Sequence, residues 1–209
     1  EELREDVTKY CFEGMSRLLA QTAETFPNAL IAVVGYYPII TSHTPMKKIV
    51  NDVMEVYNSP RWLKPLINTR LKRQFFRIYR KKMIRRSRVW YEGSTIELKR
   101  AVEKLNSNFP HQRAVFIESP FAEENGYGAK NTLLWNIAKK GEAADELYAE
   151  RKIECRETLD ALREKTQLKL RTRVCELASI GHPNTAGAKI IARSVAENLK
   201  PFFQSAKIE

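Results

Sequence analysis

The first 25 residues show a regular recurrence of apolar positions among polar ones. Val7, Cys11 and Met15 follow one another at intervals of four, and Leu18 comes three residues later. This spacing places apolar side chains on one face of a helix. The pattern therefore predicts an amphipathic helix over Leu3–Thr25.

Two short apolar runs predict β-strands. The segment Ala29–Gly35 is unbroken, rich in β-branched residues and closed by a glycine. These features are typical of a parallel strand buried on both faces. The segment Arg113–Ile117 is the only other good strand candidate. A covered parallel sheet usually has about five strands, so the pattern predicts a sheet whose other strands lie outside this chain.

The remaining apolar patterns predict helices around these strands. The predicted helices cover Thr44–Tyr57, Pro65 to about Ser87, Trp90–Asn108, a stretch beginning at Leu133, Ala143–Leu170, and Thr185–Leu199, which Pro201 ends. Helices that alternate with parallel strands are typical of an α/β fold. We therefore predict the α/β class.

Positive charge is concentrated in one segment of the chain. The protein has 36 Lys and Arg against 25 Asp and Glu, a net charge of +11. Residues 56–91 carry twelve basic and no acidic side chains, which leaves −1 for the rest. A ribosomal or histone-like protein would spread its charge along the chain. We therefore predict a basic helical insertion, residues 56–91, in a near-neutral domain, and this distribution disfavours nucleic acid as the partner.

The insertion also carries apolar residues among its cations. Phe75, Ile78 and Met83 recur at roughly helical spacing. Such a helix either packs its apolar face on the domain, with its charges solvated, or lies at an anionic membrane surface. The residues expected to contact anionic groups are Arg77, Arg80, Lys81, Lys82, Arg85 and Arg86.

The cysteines do not form a metal-binding pattern. Cys11, Cys155 and Cys175 include no CxxC pair and have no histidine close by. Zinc sites require such clusters, so the sequence predicts no metal site, and no cofactor is expected. Cys155 and Cys175 could close a loop between two helical segments. That disulfide would imply an oxidising compartment, and the spacing alone leaves it open.

The most informative motif precedes the last predicted helix. His182-Pro183-Asn184 is followed by Gly187 and an apolar helix. This run resembles the C-terminal histidine block of the SGNH/GDSL hydrolases, a family of esterases and lipases. The stretch that leads through Ala29–Gly35 is similar to the fourth strand of that fold, and the later strand candidate is similar to the fifth.

The resemblance implies an SGNH-type three-layer α/β/α fold with a parallel sheet. Residues 1–209 would be the C-terminal part of one hydrolase domain, with only the last two strands and their helices. The end of the fourth strand borders the active site in this family, so Tyr36, Tyr37 and Pro38 are expected to line the cleft. His182 is expected close to them, because parallel α/β sheets place their sites beyond the carboxyl ends of the strands.

His182 is the expected general base. An imidazole can take and return a proton near neutral pH, and Pro183 stiffens the loop that carries it. The alternative interpretation is structural: His182 simply helps to cap the last helix, with Asn184 as the true N-cap residue.

Two departures from the family pattern affect the mechanism. The family's acid lies three residues before the histidine, where this chain has Ser179. A serine cannot supply the negative charge that stabilises an imidazolium. The Gly-Asp-Ser block with the nucleophile and the oxyanion-hole blocks are absent from this sequence. Ser42 lies beside His43, but adjacency in sequence does not create a hydrogen-bonded pair, so Ser42 is not expected to be the nucleophile.

The resemblance implies an ester hydrolase that acts through a serine acyl-enzyme, with an upstream nucleophile and His182 as base. This chain alone is expected to be inactive. The partners that the resemblance implies are an ester or lipid substrate and the missing N-terminal part of the same domain. The basic insertion adds an anionic membrane surface as a candidate partner. The alternative is a non-catalytic basic interaction module that binds an anionic membrane or nucleic acid.

Overall fold

The computed structural model describes residues 1–49, 70–136, 145–166, 175 and 179–205. Within these residues the protein is a mixed α/β structure, mostly helical, with a two-stranded parallel sheet. The predicted α/β class is confirmed at this level. Most of the helix predicted over Thr44–Tyr57, the start of the one predicted from Pro65, and the side chains of residues 70–76 lie outside what is described.

The N-terminal amphipathic segment folds as one continuous helical run. It consists of α1 (Glu2–Val7), a π-helical stretch (Thr8–Gly14) and α2 (Met15–Thr25). The predicted helix is therefore confirmed, with a wider turn in its middle. Its buried face is formed by Val7, Cys11, Leu19 and Ala23.

Both predicted strands are present and pair in parallel. Strand β1 (Ile31–Val34) lies beside β2 (Ala114–Ile117), with Ile31 opposite Ala114 and Val34 opposite Ile117. Val33 is buried, but Val34 is 37% exposed. The prediction that β1 is buried on both faces is therefore wrong, because on the second face Ala32 is only half-buried and Val34 is exposed.

One long helix, α3 (Arg70–Asn106), replaces the two helices predicted on either side of Ser87–Trp90. The residues between Ser87 and Trp90 include no proline or glycine, so nothing there interrupts the backbone hydrogen bonds. Gly93 lies within the helix against Val7, whose Cγ1 would be 3.2 Å from a Cβ at that position. The close packing of α1 on α3 explains a glycine inside the helix.

The chain forms two compact units. The first contains Glu1–Pro38, Arg85–Ala122 and Lys189–Glu209, and the second contains Ile39–Ile84 and Glu123–Ala188. The main hydrophobic cluster of the first unit joins the N-terminal helices, the sheet and the second half of α3. It includes Leu98, Ala101, Val102, Leu105 and Ala114.

In the second unit, the helix predicted to begin at Leu133 is wrong over the described residues. Residues 132–136 are not helical, and Leu134, which is fully buried, pairs with Pro183 in an isolated antiparallel bridge. Periodicity cannot distinguish helix from strand in so short an apolar run. The predicted charged helix is present as α4 (Tyr148–Thr166).

The last helix, α5 (Thr185–Ser205), runs further than predicted. Pro201 lies inside it, although a proline removes one helical hydrogen bond. Leu199 and Phe202 are both half-buried, and packing of an apolar face stabilises a helix more than propensity does.

Cys155 and Cys175 form a disulfide, while Cys11 is a buried free thiol. The bridge closes a sequence separation of 20 residues, which stabilises a fold by about 3 kcal/mol in the chain-entropy description. Disulfides of this kind persist in oxidising compartments.

Among the described helices, none has the length and apolar character needed to cross a bilayer.

Candidate active site

His182 lies in a tight turn that directly precedes α5. Its backbone N–H donates to the carbonyl oxygen of Ser179 at 3.1 Å. Gly181, between them, has φ +88°, a conformation that glycine adopts at little cost. Glycine is therefore the residue that this turn favours at position 181.

A second backbone segment holds the turn from the other side. The N–H of Trp135 donates to the carbonyl oxygen of His182 at 2.7 Å. The N–H of Asn184 donates to the carbonyl oxygen of Leu133 at 2.9 Å. The backbone at His182 is thus fixed by two hydrogen-bonded neighbours in the fold.

Side chains cap the first turn of α5. Asn184 Oδ1 accepts a hydrogen bond from the Gly187 N–H at 2.8 Å, as an N-cap residue does. The Asp145 carboxylate accepts from the N–H of Thr185 at 2.8 Å and from its hydroxyl at 2.6 Å. The cap is therefore built by Asn184 and Asp145, and His182 is not needed for it.

Ser179, at the position of the family's acid, is 2% exposed. Its hydroxyl accepts a hydrogen bond from Arg151 Nε at 2.7 Å. The Arg151 guanidinium lies 5.1 Å from the ring centre of Trp135, which stacks on Tyr148 at 6.1 Å. Ser179 therefore anchors the turn to α4 and supplies no negative charge.

His182 is exposed, although its backbone N–H and carbonyl oxygen are both hydrogen-bonded. In the part of the chain that the structure describes, no hydrogen bond to its imidazole is present. The group that would orient the ring in a hydrolase is therefore not seen among those residues.

The three residues expected to line the cleft follow β1 and belong to the first unit. Tyr36 is 45% exposed and meets Trp90 edge-on at 5.5 Å between ring centres. Tyr37 packs on Phe121 at 5.0 Å, and burial, with a smaller contribution from Tyr36, raises the pKa of its hydroxyl. Pro38 is buried.

His182 and Ser179 both belong to the second unit, whereas Tyr36 belongs to the first. Their closeness to the tyrosines therefore stays a prediction.

Ser42 is paired with a carboxylate. Its hydroxyl donates to Glu123 Oε2 at 2.9 Å, and the neighbouring Thr41 hydroxyl donates to the Glu123 carbonyl oxygen at 2.8 Å. This arrangement anchors the loop after β1 to residue 123. It does not pair Ser42 with the adjacent His43.

The six basic residues expected to contact anionic groups divide into two groups. Arg77, Lys81, Lys82, Arg85 and Arg86 are exposed on α3. Arg80 is half-buried and donates to the carbonyl oxygens of Ser42 and Thr44. The structure thus separates Arg80 from the five other residues expected to contact anions.

No group of three His, Cys, Asp or Glu side chains able to hold a metal is present in residues 1–49, 70–136, 145–166, 175 and 179–205. Three residues that hold the His182 turn were not expected from the sequence: Trp135, Asp145 and Arg151. Their contacts join positions far apart in the chain, and no local motif in the sequence marks them.

Comparison with protein-family models, curated proteins and solved structures finds no match to this chain. The resemblance to SGNH/GDSL hydrolases therefore rests on the motif around His182 and on the two strands.

Proposed function

We propose that this chain is the C-terminal part of an SGNH-type serine ester hydrolase with a three-layer α/β/α fold. The substrate is a carboxylic ester or a lipid ester. His182 takes the proton of an upstream serine as that serine attacks the ester carbonyl. It then protonates the leaving alcohol and finally activates the water that hydrolyses the acyl-enzyme.

The observation that carries this proposal is the contrast between the backbone and the side chain of His182. Its carbonyl oxygen accepts a hydrogen bond from Trp135, and its N–H is bonded within the turn, whereas the residue as a whole is exposed. A general base must reach a substrate proton while its own position is fixed.

The open edge of β1 supports the idea of an upstream part of the domain. Ile31 and Gly35 each donate their N–H to the β2 side at 2.9 Å. In a parallel pair the alternate residues, Ala32 and Val34, direct their backbone groups to the opposite edge. Among the described residues, no strand pairs with that edge. An additional parallel strand can therefore bind there.

At Ala114, a side chain occupies the outer edge of β2. Asn106 Oδ1 accepts from the Ala114 N–H at 2.9 Å, and Asn106 Nδ2 donates to the Ala114 carbonyl oxygen at 2.8 Å. Blocking of this kind is how proteins protect the last strand of a sheet. The proposal accordingly places the missing strands, with the nucleophile, on the β1 side.

The test compares the complete protein with its His182→Ala variant in the hydrolysis of short p-nitrophenyl esters. Loss of one member of a serine–histidine pair costs on the order of a millionfold in rate. His43→Ala and His111→Ala are matched controls, since both histidines are exposed, and both variants should keep full activity.

The isolated chain of 209 residues should hydrolyse these esters no faster than its own His182→Ala variant. If the complete protein kept its activity after His182→Ala, His182 would not be the base. Turnover by the isolated chain that depended on His182 would show that the nucleophile is misplaced, and Ser42 would become the candidate. A complete protein without any esterase activity would favour the non-catalytic interaction module.

A further inference from the structure

One face of α3 combines exposed cations with one exposed apolar side chain. Arg77, Lys81 and Lys82 are exposed, and Ile78 is 63% exposed. With 3.6 residues per turn, these four positions span an arc of about 140° on the helix surface. We call these four residues the basic face of α3.

The orientation of this face is fixed by contacts on the other side of the helix. Arg80 donates to the carbonyl oxygens of Ser42 and Thr44, with Nε at 3.4 Å from Thr44 O. Met83, which lies opposite the basic face on the helix, is half-buried. The contacts of Arg80 therefore turn the basic face toward solvent.

The charges of the basic face have no acidic neighbours along the chain. Residues 56–91 contain no Asp or Glu, so this stretch of the chain carries only positive charge and is complementary to an anionic surface. Arg85 and Arg86, further along the same helix, are also exposed. A polyanion is the partner that this charge pattern fits.

We propose that the basic face of α3 docks on a bilayer that contains anionic lipids. The three cations bind the headgroups, and Ile78 enters the boundary between headgroups and acyl chains. Ile78 favours a bilayer over a nucleic acid, because a bilayer buries a branched aliphatic side chain whereas phosphate contacts make no use of it. This proposal goes beyond the esterase activity and does not depend on it.

The test is co-sedimentation of the chain with phosphatidylcholine vesicles, with and without phosphatidylserine. The variant Arg77→Gln/Lys81→Gln/Lys82→Gln removes the three cations and keeps long side chains of good helix propensity. The matched control is Lys152→Gln/Arg156→Gln/Lys165→Gln, which changes three exposed basic residues of α4. Both variants lose the same charge from the net +11, and circular dichroism checks that each is folded.

The chain should bind vesicles with phosphatidylserine and not those without it. A basic residue near an anionic membrane contributes about 1 kcal/mol, so the α3 variant should bind on the order of a hundredfold more weakly. The α4 control should bind like the unchanged chain. Binding should also weaken as salt is raised, because ions screen the charges.

A further variant, Ile78→Ser, tests insertion of the apolar side chain. Burial of an isoleucine is not screened by salt and is worth roughly tenfold in affinity or more. Ile78→Ser should therefore reduce the binding that remains at high salt.

Equal binding to the two kinds of vesicle, or equal losses in the α3 and α4 variants, would overturn the proposal. Tighter, Arg77-dependent binding to single-stranded RNA than to anionic vesicles would also overturn it and would assign the face to nucleic acid.

Discussion

The turn that carries His182 should depend on the absence of a side chain at Gly181. Gly181 has φ +88°, and an L-residue in a left-handed conformation costs roughly 1–2 kcal/mol. Space is not the obstacle, because a Cβ there would be 3.4 Å from Ile39 Cγ2, an ordinary contact. Gly181→Ala should therefore destabilise the turn through its backbone conformation and not through a steric clash.

Gly14 offers a matched control for this substitution. A Cβ at Gly14 would also have its nearest neighbour at 3.4 Å, the carbonyl oxygen of Lys9, but φ there is −62°. At such a φ, replacing glycine with alanine is neutral or stabilises by about 0.4–1 kcal/mol. The two variants thus differ mainly in the sign of φ.

Hydrogen exchange of the Trp135 amide measures the effect directly, because this N–H donates to the carbonyl oxygen of His182 at 2.7 Å. A cost of roughly 1–2 kcal/mol lowers its protection roughly 5- to 30-fold in Gly181→Ala. The Gly35 amide, bonded to Ile117 in the sheet at 2.9 Å, should keep its protection. Unchanged exchange at Trp135 would refute the claim that positive φ at Gly181 holds the turn.

Two further predictions concern buried groups. Arg151→Met leaves the buried Ser179 hydroxyl without its hydrogen-bond donor, so the free energy of unfolding in urea should fall by about 1–3 kcal/mol. The control is Arg156→Met, which changes an exposed arginine of the same helix and should have little effect. Equal losses in the two variants would contradict the role of Arg151. Burial, with a smaller contribution from the Glu97 carboxylate, raises the pKa of the Cys11 thiol above its ordinary value of 9.0. Above pH 9.0 the unfolded chain loses this proton before the folded one does, so the free energy of unfolding should fall as pH rises there. A Cys11→Ala variant should lack this part of the pH dependence, and identical pH profiles would exclude the thiol as its source.

The sequence alone determined the elements whose signal is local. The helix over Leu3–Thr25, the strands near Ala29–Gly35 and Arg113–Ile117, and the helix after Asn184 follow from periodicity, β-branched runs and a capping residue. The concentration of positive charge in residues 56–91 is likewise a property of the sequence. Each of these features depends on residues a few positions apart, and such residues meet in any fold.

The tertiary structure decided the contacts between residues that lie far apart in the sequence. Whether Cys155 and Cys175 pair, and whether Arg80 faces solvent or the carbonyl oxygens of Ser42 and Thr44, depends on which segments the fold brings together. The same holds for the candidate site. The motif around His182 marks the histidine, but the hydrogen bond from Trp135 to its backbone spans 47 positions, and no local pattern encodes a contact whose formation requires the chain to fold.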